Sequence, residues 1–305
     1  MKKTILTASV LIVSIYGALH AEEAKPDGSA DSKKRGRPAH TFDFSTTGYD
    51  GGESHLRAAL DDRLFTVGGD LPVYNTLKFD RLTTDMEGIP SRLYTASDTV
   101  MAMSDDILLF GMVSSPSDKP FNSMDEVLMM GAASKRVWQN GSHSLSAAVF
   151  MSSTKYWGYY IPIPFMSYRY KDESFTASFG VPSMIFWKIS RSVSFSFTYF
   201  PVFHFESALQ WRPLPFITIG PELACTQNKY YIADRADKEQ NLYKRYLSIA
   251  FGVQSYISSF SGVYLKAGYI PYNVYVTGTS SMEMHGTRDA GSEFFITGGF
   301  RFFLF

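Results

Sequence analysis

Over most of the chain the apolar positions recur with a period of two, and the pattern is plainest from Ser192 to Phe200. There Val193, Phe195, Phe197 and Tyr199 alternate with Ser192, Ser194, Ser196 and Thr198. Such alternation puts apolar side chains on one face of a strand and polar ones on the other. Ser174 to Gly180 repeats it, with Phe175, Ala177 and Phe179 set against Ser174, Thr176 and Ser178. So do Phe203, Phe205, Leu209 and Trp211 against His204, Glu206, Ala208, Gln210 and Arg212. Further on, Leu247, Ile249, Phe251 and Val253 alternate with Tyr246, Ser248, Ala250, Gly252 and Gln254, and Val263, Leu265, Ala267 and Tyr269 with Tyr264, Lys266 and Gly268. No segment sustains a 3.6-residue period, so the chain from Thr41 onward is predicted to be all-β.

Alternation alone fits a soluble sandwich as well as a membrane barrel. Connection lengths separate the two. Counted back from the C-terminus, a long loop at 278–291, a tight turn at 258–262, a long loop at 227–242 and a tight turn at 212–215 succeed one another. Long connections on one side and short ones on the other are the habit of outer-membrane barrels. Tyrosine and tryptophan crowd near the strand ends, at Tyr156-Trp157, Tyr159-Tyr160, Tyr168, Tyr170, Trp187, Trp211, Tyr269 and Tyr272, as interfacial girdles require. The given sequence closes inside its last predicted strand, Phe294 to Phe305, on an aromatic residue. The fold expected is an antiparallel transmembrane β-barrel of the outer-membrane type, with about 12 strands in a range of roughly 10 to 16.

The N-terminus sets the compartment. Lys2-Lys3 is a basic n-region, Ile5 to Tyr16 a short apolar h-region and Ala21 a small residue for cleavage, so residues 1–21 read as a Sec signal peptide. Glu22 instead of Cys follows the cut, which argues against a lipoprotein. Residues 22–40 are polar and carry Pro26 and Pro38, and are expected to be a disordered periplasmic leader. Residues 41–305 form the barrel, with the outer membrane as its location. Lysine plus arginine equals aspartate plus glutamate, 29 each, so net charge points to no polyanionic partner. The one cysteine, Cys225, excludes an intrachain disulfide framework. The Arg-Gly-Arg-Pro core of Lys33 to Pro38 is similar to an AT-hook, but export removes access to DNA, and no nucleic-acid partner is expected.

From about Tyr160 to Phe305 the chain resembles an outer-membrane β-barrel family, domain-of-unknown-function 6268. The resemblance lies in GVPS at Gly180 to Ser183, QWRPLPFITIGPEL at Gln210 to Leu223 and the closing ITGGFRFFLF from Ile296. It covers about half of the chain, and implies a barrel of about a dozen strands with no established activity. The terminal Phe305 likewise resembles the signal that such barrels present to the barrel-assembly machinery, although it shares a row with Phe295, Thr297, Arg301 and Phe303 and not with the more apolar Phe294, Ile296, Phe300, Phe302 and Leu304.

Alternation also assigns side chains to a face. Arg169, Lys188, His204, Glu206, Arg212, Glu222, Lys266 and Arg301 fall on rows opposite the apolar ones and are expected in the lumen; Phe195, Phe197, Tyr199, Phe205, Ile249, Phe251, Leu265, Phe300 and Phe302 are expected against lipid, alongside lipopolysaccharide. Basic residues outnumber acidic ones in the lumenal set, which favours anionic solutes. The same rows carry bulky Phe216, Tyr246, Tyr256, Tyr264, Phe295 and Phe303, which in a barrel of about 12 strands would fill much of the interior. A narrow or plugged channel for small solutes with weak anion bias is expected. The alternatives are a surface barrel acting through its long loops and a soluble secreted sandwich. An enzyme is not expected: His204 with Glu206, and Asp234, Asp237 and His285 in the loops, have no nucleophile fixed by spacing. The scattered histidines and single cysteine make no metal-ligand spacing, and no cofactor is expected.

Overall fold

The computed structural model describes residues 40–67, 71–104, 106–153, 162–200, 204–233, 235, 237, 240–279 and 284–304. The signal, the leader up to residue 39, Tyr156 to Tyr160, Asp234, Ala236 and Phe305 therefore lie outside the described residues.

The strands are β1 (His40–Tyr49), β2 (Ser54–Val67), β3 (Leu71–Thr83), β4 (Arg92–Met103), β5 (Ile107–Ser117), β6 (Leu128–Asn140), β7 (His143–Ser152), β8 (Ile163–Lys171) and β9 (Phe175–Phe179). They continue as β10 (Ser183–Lys188), β11 (Val193–Phe200), β12 (His204–Leu214), β13 (Ile217–Tyr230), β14 (Asn241–Tyr256), β15 (Ser261–Gly278), β16 (Met284–Asp289) and β17 (Glu293–Leu304). Neighbours in sequence pair antiparallel, and β17 pairs with β1 from His40↔Leu304 to Tyr49↔Phe295, so a single sheet closes on itself. A two-sheet sandwich is thereby overturned. β16 and β17 pair successive stretches of β15, the first along Val274 to Gly278 and the second along Ser261 to Ile270. Seventeen strands thus occupy sixteen positions around the barrel, more than the dozen expected. Sixteen is the upper end of the expected range; β2 to β5, which carry charged and small residues that blur the alternation, were not delimited in the sequence.

Both chain ends meet at one end of the barrel, beside the short connections 141–142, 172–174, 189–192, 215–216 and 257–260. This is the turn end. The connections 84–91, 118–127 and 231–240 lie at the opposite, loop end. Boundaries shift from those expected: the turns fall at 215–216 and 257–260, the long connection after β13 begins at 231, and β16 occupies part of the predicted loop 278–291. His285, expected in that loop, is a strand residue.

Outward rows are apolar and uncovered. Ile249, Phe251, Leu265, Phe294 and Ile296 are each more than half exposed. Among the described tryptophans, Trp138, Trp187 and Trp211 stand exposed on β6, β10 and β12 near the turn end, and Tyr199 and Tyr272 stand exposed toward the loop end.

Candidate functional site

Contacts between strands that are not neighbours identify the inward rows. Lys266 on β15 reaches past β14 to an ion pair with Glu222 on β13. Tyr264 on β15 donates its hydroxyl across β17 to Asp43 on β1 at 3.2 Å, and Arg301 donates twice to the same carboxylate, at 2.9 and 2.5 Å. The register then carries the row onward: Arg301 pairs with Asp43, Asp43 with Ala59, Arg57 with Asp80 and Lys78 with Ser97. Counted along the same ladders, Arg169, Lys188, His204, Glu206, Arg212, Glu222, Lys266 and Arg301 sit on the inward rows. Phe195, Phe197, Tyr199, Phe205, Ile249, Phe251, Leu265, Phe300 and Phe302 sit on the outward rows.

Part of the interior is filled by residues from the first half of the chain. Asp80 accepts from Arg57 at 2.8 Å and faces Lys78 at 3.1 Å and His55 at 3.7 Å. Leu77 and Phe79 alternate with Lys78 and Asp80, so the period-two signal was present at these positions, in a strand too short of apolar residues to stand out. Nearer the loop end, Lys244 forms an ion pair with Glu53, their side chains only 3% and 4% exposed. The Tyr275 hydroxyl donates to the second oxygen of Glu53 at 2.6 Å. Leu82, Leu93, Tyr230, Leu242 and Tyr275, from β3, β4, β13, β14 and β15, pack together as one apolar cluster.

That cluster lies beneath a seam. The β5–β6 ladder ends at Ser114↔Leu128 and the β12–β13 ladder at Phe205↔Cys225, which frees one edge of β5 and one of β13 toward the loop end. The two edges meet there in a parallel bridge, Ser117↔Tyr231. Tyr231 N–H donates to the Pro116 carbonyl at 2.7 Å, Asp118 N–H to the Tyr231 carbonyl at 3.3 Å, and Ala233 N–H to the Asp118 carboxylate at 2.7 Å. At the loop end the wall therefore divides: β6 to β12 form an arc of seven strands, and the bridge joins the edges of the other nine of the sixteen positions, while nearer the turn end the ring is continuous.

Bulk along the inward rows obstructs less than expected, because two of the rings lie flat. A Cβ on Gly299 would come 2.4 Å from Tyr264, and one on Gly268 would come 2.7 Å from Phe295. Each aromatic ring covers a glycine of the neighbouring strand and hugs the wall instead of crossing the lumen, the arrangement by which aromatics compensate glycine in sheets. Tyr256 and Phe303 pair with each other at the turn end, with ring centroids 6.1 Å apart, and Phe216 lies in a turn. Beside Lys266, Glu222, Gln210 and Gln254, over Gly220 and Gly252, the inner wall has a hollow of about 160 Å³.

His204 and Glu206 come within 3.7 Å, with the imidazole buried and neither ring nitrogen hydrogen-bonded among the described residues. Among the described residues no three His, Cys, Asp or Glu side chains gather as a metal site would need.

No described protein family and no curated protein matches the chain. Among solved structures, NanC porin is similar with a TM-score of 0.35 at 11% identity, over 86% of this chain and 100% of that one. A bacterial polysaccharide outer membrane secretin gives 0.40 at 8% identity, over 88% and 100%. In-vitro folded OmpT, an outer membrane protein of Vibrio cholerae, gives 0.31 at 10% identity, over 87% and 96%. These likenesses are too distant to bear on function, and the closed ring rests on its own strand pairing.

Proposed function

We propose that the chain is an outer-membrane β-barrel that works as a narrow, partly plugged channel for small solutes, with a weak preference for anions. The observation that carries the reading is the separation of faces: apolar, exposed outward rows against an interior of paired charges. In water such a surface would be an aggregation liability, whereas in hydrocarbon it is the required coat. Exposed tryptophans near one end and tyrosines toward the other fit the two interfaces of a bilayer. On this reading the turn end faces the periplasm, the loop end faces outside, and residues 1–21 direct export. Membership of the domain-of-unknown-function 6268 family and engagement of the assembly machinery through Phe305 belong to the same proposal, as does contact with lipopolysaccharide.

The anion preference is modest because acids beyond those expected lie inside, Asp43, Glu53 and Asp80 among them, each next to a cation. The packed half supports a second reading, a surface barrel that acts through its loops without conducting. Two measurements test the pair. Heat-modifiable migration in detergent gels must be seen for a membrane barrel, and its absence refutes the placement. Ionic current through the refolded full chain in planar bilayers supports a channel, and a silent bilayer leaves the surface barrel.

A further inference from the structure

The two parts of the wall on either side of the seam differ in filling and in charge. In the nine-strand half, inward side chains are buried through the middle of the barrel, at Ser45, Thr47, Asp80, Ser97 and Thr99, and the apolar cluster under the seam continues the packing to the loop end. In the arc the inward rows mix serines with larger apolar residues: Ser146 on β7, Ser167 on β8, Ser178 on β9 and Ser194 on β11 keep part of their surface open, as do Phe165 on β8 and Met184 and Phe186 on β10. Burial becomes complete there from the middle of β11 toward the loop end, at Ser196, Thr198 and Phe200, and at Leu128, Met130, Ser152 and His204 on the loopward parts of β6, β7 and β12. The arc is thus a vestibule open from the turn end and narrowing toward the other.

Its charges lie at the wide end. Arg136 on β6, Arg169 on β8, Lys188 on β10 and Arg212 on β12 occupy inward positions within the last turnward residues of alternate strands. Glu206 is the one acid on the described inward rows of the arc, and it lies at the narrow end beside His204. In the turns below, Asp106 pairs with Arg136, Asp172 is held by the backbone N–H groups of Ser174 and Phe175, which keep its carboxyl below the usual range, and Glu173 stands exposed beside it, so the four cations of the crescent face three acids. By excess of cations over acids the crescent gives the confined mouth a net positive field, where charges are screened less than on an open surface. Serine hydroxyls on the wall above can replace water around an anion as it moves inward.

We propose that solutes pass along the β6–β12 arc and not through the nine-strand half, and that Arg169, Lys188 and Arg212 recruit small anions bearing carboxylate or phosphate at its periplasmic mouth. This rests on the channel reading above. Guanidinium groups suit such solutes because they bind both oxygens of a carboxylate or phosphate at once.

The test uses the refolded full chain in planar bilayers under a potassium chloride gradient, with folding of each variant checked by heat-modifiable migration. Arg169→Glu combined with Lys188→Glu should lower the chloride-to-potassium permeability ratio by about threefold or more. Lys266→Gln combined with Glu222→Gln, which removes an ion pair of the nine-strand half without stranding either charge, should leave it unchanged. If the double charge reversal does not fold, Arg169→Gln with Lys188→Gln replaces it, with a smaller fall expected. Inorganic phosphate or acetate added on the periplasmic side should reduce chloride current in the parent chain and not in the double variant; block by one of them alone identifies which chemistry is recruited. A selectivity change at Lys266 and Glu222 as large as at the arc pair, or no change at the arc while current persists, overturns this proposal and leaves the channel reading standing. Absence of current in the parent chain overturns both.

Discussion

Removing the Lys244 ammonium should be among the most damaging single changes in the interior. Its partner Glu53 is 4% exposed at the side chain and would keep the Tyr275 hydroxyl, at 2.6 Å, as a neutral donor. A carboxylate left in such a place without its cation costs about 3 to 5 kcal/mol, far more than an exposed pair would. The ammonium also stands 5.4 Å from the Tyr49 ring centre and 5.2 Å from that of Tyr275, contacts worth about 0.5 to 2 kcal/mol more when desolvated. With a urea slope of about 3 kcal/mol per molar for a chain of this size, Lys244→Ala should lower the unfolding midpoint by about 1 to 2 M. Glu53→Gln combined with Lys244→Met removes both charges and keeps most of the volume, so it should recover more than half of that loss. The assay is urea titration of the folded, heat-modifiable band. A midpoint unmoved by Lys244→Ala would refute the buried pair as described. A double variant as unstable as the single would show that shape, and not the stranded charge, sets the cost.

Phe197→Arg should block assembly into membranes, since a cation near the midplane of the lipid face costs about 2 to 4 kcal/mol, whereas Ser194→Arg on the inward row of the same strand should assemble; equal outcomes would mean the rows are misassigned. Gly299→Ala should destabilise by about 1 to 3 kcal/mol because its Cβ would strike Tyr264, while Gly298→Ala, with nothing within 4 Å, should be close to neutral in the same urea titration. An epitope inserted beside Ala236 should be labelled on intact cells; labelling confined to lysed cells would invert the topology.

The regular strands of the second half were legible because their alternation is undiluted. Phe195, Phe197, Ile249 and Phe251 sit where one face must be apolar, and a one-residue slip would turn every one of them inward. The first half was harder to read, since in β3 the run Leu77 to Asp80 sets single apolar residues between Lys78 and Asp80, and β4 mixes Thr95, Ser97 and Thr99 with Asp98. That is why the strands of this half were not delimited and why the Asp80 cluster was missed. Arg136 went unnoticed because the register of β6 against β7 shifts between Arg136 and Trp138, which interrupts the alternation at that point. The seam between β5 and β13 has no signature in the sequence at all. Its partners Ser117 and Tyr231 belong to ordinary strand ends, and only the unequal lengths of neighbouring strands expose their edges.

The seam also constrains the order in which the chain can assemble. Hairpins form between neighbours and need no distant contact, and the ring itself needs only one, β17 on β1. A parallel bridge between residues 117 and 231 is different, because for a free chain the closure of a loop that long costs about 4 kcal/mol of entropy before any constant. Three hydrogen bonds, each worth about 0.5 to 1.5 kcal/mol net, would barely offset that cost. Once β6 to β12 stand as a wall, however, the two edges are already held near each other and most of the entropy has been lost to the ladders. The bridge should therefore be a late event in folding, and the backbone amides that close it, those of Asp118, Tyr231 and Ala233, should be the last to gain protection from hydrogen exchange and the first to lose it.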